Sequence, residues 1–167
     1  ISINTLASPH ANPSKVSEYK EHGKFGDHCD SWAPYPEGRP ECSTPYCNRV
    51  VTVLVYLNGV EVGGETRFTN LDATDNSRVL PGQRCRQLTI TPERGMALVF
   101  FPGYLPSAES PMPHVQRGGP DYSAGHEGLP VHHSKGIAIQ WVLSGEYDVD
   151  KAPDSSRPQQ KCSDVIL

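Results

Sequence analysis

Three side chains in this sequence, His28, Asp30 and His126, are of the types that grip a metal ion together. In an extended strand, residues i and i+2 point to one face, so His28 and Asp30 can hold an ion between them. Alone the pair carries little, because a chain with 7 His and 19 acidic residues holds about one such His-x-Asp pair by chance. His126, 98 positions beyond His28 (126 − 28), supplies the third donor. Two imidazoles and one carboxylate on one face of an ion leave about three positions open, the arrangement that suits iron(II). Zinc is the chemical rival, but its catalytic sites usually leave a single open position.

Lys135 is the second feature. On a strand it shares a face with Ile137, Ile139 and Trp141. An ammonium facing an apolar interior needs an anionic partner, since burying it unpaired costs several kcal/mol. A dicarboxylate is one such partner; a strand-end lysine reaching back to water is the alternative. The pattern alone leaves both open.

These residues must be positioned by strands. Arg49 to Asn58 is the strongest strand signal, rich in Val, Leu, Thr and Tyr and closed by Asn58-Gly59. Further strands are expected at Lys15–Tyr19, after the Glu21–Lys24 turn, from the Gly63–Phe68 turn, at Arg86–Thr91, at Met96–Phe101 and at Gly136–Leu143. Pro-rich loops at 33–46 and 102–125 are candidates for a lid or substrate groove. No run of ten residues has a convincing helical period, so short strands between turns argue for an all-β sandwich or barrel.

The 167 residues fit one domain, with a core over about 12–149 and a polar tail at 150–167. A net charge of −4 gives no electrostatic reason to expect nucleic acid or an anionic membrane as partner. The longest apolar stretch, Val50 to Leu57, falls far short of the roughly 18 residues that span a bilayer. The start at Ile1, without a charged-then-apolar leader, is uninformative about compartment. Five cysteines leave at least one unpaired within the chain; Cys42 and Cys47 flank a short turn and read equally as a small disulfide or as free thiols.

Five blocks in order carry a family resemblance: YKEHGKFGDHCD (19–30), RVVTVLVYLN (49–58), GGETRF (63–68), TPERGMALVF (91–100) and HEGLPVHHSKGIAIQW (126–141). The ordered set resembles the prolyl 4-hydroxylase-type branch of the 2-oxoglutarate/iron oxygenases, over roughly residues 12–143. The resemblance implies an all-β double-stranded β-helix (a jelly roll, cupin-like), with flanking loops and little helix. Position by position, His28, Asp30 and His126 match the iron ligands, and Lys135 matches the basic residue that pairs the far carboxylate of 2-oxoglutarate. Tyr56 matches a phenol that bonds the same carboxylate, Tyr19 and Thr66 match pocket-lining positions, and Trp141 matches the tryptophan that closes the pocket.

One departure stands out. Many collagen-type members place the basic residue ten positions after the distal histidine, whereas Lys135 follows His126 by nine (135 − 126). Lys135 still precedes Trp141 by six (141 − 135), so the expectation is a turn one residue shorter with the strand register intact.

The implied chemistry is hydroxylation of an unactivated C–H, most directly on a peptidyl proline, with release of succinate and CO2. It uses Fe(II), 2-oxoglutarate and O2, with ascorbate as reductant. The implied partner is a peptide or protein substrate, a proline-rich one included, and Trp32 is a candidate to pack on a substrate ring or simply within its own loop. The same chemistry on a free amino acid, another side chain or a small natural product is the alternative. A non-catalytic cupin-like binding domain and a zinc hydrolase are further ones. His10, His22 and His114 read as solvated; His132 and His133, being adjacent, cannot both face a metal from a strand; Glu127 reads as a turn residue and Arg67 has no assigned role. Oligomeric state and compartment are not legible.

Overall fold

The computed structural model describes residues 10–11, 14–32, 47–60, 62–72 and 87–146. Eight strands form among them: β1 (Lys15–Tyr19), β2 (Phe25–His28), β3 (Arg49–Tyr56), β4 (Thr66–Asp72), β5 (Gln87–Ile90), β6 (Ala97–Phe100), β7 (His126–Gly128) and β8 (Lys135–Leu143). They make two four-stranded antiparallel sheets, ordered β1-β8-β3-β6 and β2-β7-β4-β5. The chain passes repeatedly from one sheet to the other, which produces the double-stranded β-helix expected from the sequence.

The period-two pattern of β3 explains its place beside the core. Val50, Thr52, Leu54 and Tyr56 are buried inward, while Val51, Val53 and Val55 are half-buried on the other face. Two apolar clusters fill the space between the sheets. Leu54, Tyr56 and Ile137 pack with Tyr19, Ile90, Met96, Leu98 and Ile139; Phe68, Phe100 and Ala124 pack with Leu71 and Leu88. Each buried aromatic or aliphatic side chain of this kind contributes roughly 1.5–3 kcal/mol relative to exposure.

The turns follow their residue chemistry. His22 takes the left-handed conformation (φ 63°) in the β1–β2 turn, and Gly23 N–H closes it on Lys20 O at 2.7 Å. Within the expected loop at 102–125 lie two single helical turns, α1 (Pro113–Gln116) and a 3-10 turn (Tyr122–Ala124). Pro113 begins α1 where a missing N–H costs nothing, and Asp121 caps the 3-10 turn by accepting from Ser123 N–H. Both are too short to have a sequence period.

Cys29 and Cys47 are each disulfide-bonded. Cys42, Cys85 and Cys162, the loop at 33–46 and the tail at 150–167 lie outside the described residues.

Candidate metal centre and its cavity

The long sequence separation of His28 and His126 collapses into one cross-strand pair. β2 and β7 run antiparallel with His28 opposite His126, and the two ring centroids are 4.3 Å apart. Asp30 lies just past the end of β2, in a bend rather than within the strand. Its carboxylate sits between the rings, with Oδ1 3.5 Å from His28 Nε2 and Oδ2 4.0 Å from His126 Nε2. One donor atom from each of the three residues falls within 4.8 Å of the others, and all three residues are buried.

Hydrogen bonding prepares these donors. His28 Nδ1 is 2.8 Å from Gly26 O, and His126 Nδ1 is 3.0 Å from Ala124 O. A carbonyl only accepts, so each ring carries a proton on Nδ1 and directs Nε2 toward Asp30. Both rings use the carbonyl two residues back, so the same local device serves each strand. Fixing the second nitrogen in this way is how metal-binding imidazoles are oriented.

Burial pushes the Asp30 carboxyl up, but the His28 hydrogen bond, the His126 and His28 charges and the Thr52 hydroxyl outweigh it and hold Asp30 below the usual carboxylate range. Burial pulls His126 below its ordinary value, with Asp30 opposing. The centre therefore offers an ionised carboxylate beside two buried imidazoles. That donor set fits a divalent first-row ion that accepts mixed nitrogen and oxygen ligands.

Aromatic rings hold the imidazoles. Phe68 lies opposite His126 on the β4–β7 ladder, Phe100 meets the His126 ring at 4.8 Å, and Phe25 meets His28 edge-on at 4.4 Å. Phe25, Phe68 and Phe100 lie within or beside the sequence blocks but have no chemical type that signals a site. Their part emerges only from strand register.

The triad opens into a cavity whose lining includes Lys135, Thr66, Tyr19 and Trp141. Lys135, Ile137, Ile139 and Trp141 all line it from β8, as the period of two requires. Lys135 is 3 % exposed, donates from Nζ to Gly64 O at 2.6 Å, and lies 5.1 Å from the Tyr19 ring centroid and 6.0 Å from that of Tyr56. Burial brings its ammonium down to about 8, with Glu65 opposing. Burial raises the phenols of Tyr19 and Tyr56, so both remain neutral at physiological pH. Trp141 is also buried, and its indole N–H has no hydrogen-bond partner among the described residues. A buried cation and an orphaned donor on one cavity wall fit an anionic ligand with oxygen acceptors, as 2-oxoglutarate is.

Two anticipated residues stand back from that lining. Tyr56 is fully buried and donates its hydroxyl to Thr66 Oγ1 at 2.8 Å. Trp32 lies under the Arg49 guanidinium at 4.7 Å, and the same guanidinium lies over Trp141 at 3.7 Å. Arg49 also donates from Nη1 to Asp30 O at 3.3 Å, tying the ligand-bearing bend to β3. Arg67, without a role in the sequence reading, pairs with Glu127, Nε to Oε1 at 2.8 Å, across β4 and β7. Glu127 thus braces the strand of His126 as well as lining the cavity.

Residues 14–143 match the 2OG-Fe(II) oxygenase superfamily. The chain is 30 % identical over 158 residues to transmembrane prolyl 4-hydroxylase of Mus musculus, covering 79 % of this chain and 29 % of that protein. It is likewise 30 % identical over 138 residues to prolyl 4-hydroxylase 13 of Arabidopsis thaliana, covering 80 % of this chain and 43 % of that protein. The chain thus spans less than half the length of these relatives. In fold it is similar to the viral collagen prolyl hydroxylase vCPH of Paramecium Bursaria Chlorella virus-1 in its 2OG complex, with a TM-score of 0.58 and 23 % identity over 80 % of this chain and 59 % of that one. No helix among the described residues is long and apolar enough to cross a membrane. With the family match extending across most of its length, the chain belongs to the 2OG-Fe(II) oxygenase superfamily.

Proposed function

We propose that this chain hydroxylates a peptidyl proline, coupled to conversion of 2-oxoglutarate and O2 to succinate and CO2. The observation that carries the reading is the cavity that joins the His28, Asp30 and His126 donors to the buried Lys135 ammonium. The prolyl specificity draws on the relatives, two of which are named as prolyl 4-hydroxylases.

In this reading His28, Asp30 and His126 hold Fe(II), which with the keto acid supplies the oxidant when bound, ascorbate keeping the metal ferrous. Lys135 binds the far carboxylate of 2-oxoglutarate as a charge-assisted donor. Thr66, oriented by the Tyr56 hydroxyl, and Tyr19 line the same end of the cavity. Trp141 closes the wall from β8 and has an indole N–H to donate. The aromatic surround of Phe25, Phe68 and Phe100 fixes both imidazoles and limits water at the centre. Trp32, stacked with Arg49, is the candidate surface for a substrate ring.

The test is turnover of proline-rich peptides with Fe(II), 2-oxoglutarate and ascorbate, followed by mass spectrometry. The expected result is succinate release with an oxygen atom added at proline. Succinate release with every prolyl peptide left unmodified moves the substrate to another class.

A further inference from the structure

Asp30 differs from its two histidine partners in offering two donor atoms. If both oxygens bound one ion, they would occupy one of the roughly three positions that a bidentate keto acid and O2 require. Something must therefore control the carboxylate, and the structure places a hydroxyl where it can. Thr52 sits on β3 opposite Trp141 on β8 and Phe100 on β6, 1 % exposed, on the inward face shared with Val50, Leu54 and Tyr56. Its Oγ1 donates to Asp30 Oδ2 at 2.7 Å. The other oxygen, Oδ1, is the one nearer His28 Nε2, at 3.5 Å.

A polar side chain at so enclosed a position is costly unless its hydrogen bond is made. Valine has nearly the same shape and lacks the hydroxyl, so packing alone does not call for threonine here. The hydroxyl and the backbone contact from Arg49 to Asp30 O grip the residue at both ends, which leaves the carboxylate little freedom to rotate.

We propose that Thr52 is a positioning residue of the metal centre, engaging Asp30 Oδ2 so that the carboxylate ligates through one oxygen. This rests on the reading of His28, Asp30 and His126 as the Fe(II) ligands. Thr52 also lines the cavity, and the role proposed here is its contact with the Asp30 carboxylate. It acts through Asp30, as partners of metal ligands do when their loss weakens metal binding by about 10- to 100-fold.

The experiment is titration of the metal-free protein with Co(II), followed by visible absorption, for wild type, Thr52→Val and Thr52→Ser. Thr52→Val is expected to weaken Co(II) binding by about tenfold or more and to alter the ligand-field bands, which report coordination number. Thr52→Ser, which keeps the hydroxyl, is expected to restore both. Thr52→Val with wild-type affinity and spectrum overturns the proposal, as does Thr52→Ser impaired as badly as Thr52→Val. If thermal unfolding finds Thr52→Val misfolded, Thr52→Ala against Thr52→Ser isolates the hydroxyl, and equal affinities in that pair overturn it. Wild-type protein that takes up neither Co(II) nor Fe(II) would instead remove the metal-site reading itself.

Discussion

The ammonium of Lys135 donates to the carbonyl of Gly64 at 2.6 Å, joining the first residue of β8 to the turn that feeds β4. The carbonyl is a neutral acceptor for a charge buried to 3 % exposure. A carboxylate arriving in the cavity offers a stronger partner. Lys135→Met is therefore expected to weaken 2-oxoglutarate binding by about 2–3 kcal/mol, roughly 30- to 150-fold, the scale of losing one side of a desolvated charge pair. Co(II) affinity should stay at the wild-type level. Calorimetric titration of each ligand separates the two, and unchanged 2-oxoglutarate binding would remove Lys135 from the site.

The same residue sets a pH dependence with two opposite limbs. Lys135 titrates at about 8 in the folded protein against an ordinary 10.5. Between those values the unfolded chain binds more protons, so this group's contribution to stability rises with pH through the window. Below 8 both states are protonated and the full burial penalty is present. Ligand binding runs the other way: above pH 8 a growing fraction of Lys135 is neutral, and 2-oxoglutarate affinity should fall by up to tenfold per unit. The stability difference between wild type and Lys135→Met should shrink over the same range. Denaturant melts and ligand titrations from pH 7 to 10 check both, and a flat wild-type affinity would contradict the assignment.

The sequence exposed the parts of this site whose chemistry is visible one residue at a time. The valine-rich run of β3, the metal-ligand types at 28, 30 and 126, and the face shared by Lys135 and Trp141 all follow from residue type and period. The hidden parts depend on register between distant strands. β7 has three residues, too few to show an alternation, yet it carries His126 opposite both His28 and Phe68. Thr52 looks like any threonine in a β-rich run until Asp30, 22 positions earlier, is brought against it. Arg67 and Glu127, 60 positions apart, pair only because β4 and β7 are neighbours. Tyr56, matched by resemblance to a phenol on the 2-oxoglutarate carboxylate, meets Thr66 through its hydroxyl, and Trp32, a candidate for a substrate ring or for its own loop, meets Arg49; neither contact is visible before the strands are in register.

The carbonyl partners of the two histidines predict a tautomer. With Gly26 O and Ala124 O accepting at Nδ1, both rings of the metal-free protein should carry their proton there. Long-range 1H–15N correlation spectra distinguish the two neutral forms directly. His126, held below its ordinary value by burial, should show the Nδ1–H form at pH 7. Metal addition should then shift Nε2 far more than Nδ1. An Nε2–H tautomer at either ring would mean that the donor atom was not prepared in advance. His126→Ala should abolish succinate release, since one imidazole and one carboxylate no longer fix three sites on the ion.

Gly64 is the last position with a definite expectation, because backbone and packing act there together. Its φ is +71°, where an L side chain is strained, and a Cβ built on it would lie 2.6 Å from Val131 Cγ1 and 3.4 Å from Lys135 Cδ. Val131 is 1 % exposed and has no room to retreat. Gly95 provides the control: its φ is +83°, but a Cβ there meets nothing within 4 Å. Gly95→Ala should cost about 1 kcal/mol from backbone strain alone, whereas Gly64→Ala should cost about 2–4 kcal/mol as the clash is added. The clash also falls on the turn that supplies the carbonyl partner of Lys135, so Gly64→Ala should weaken 2-oxoglutarate binding while Gly95→Ala leaves it alone. Denaturant unfolding and ligand titration of the two variants test this, and equal costs at both positions would show that the Gly64 turn relaxes away from Val131.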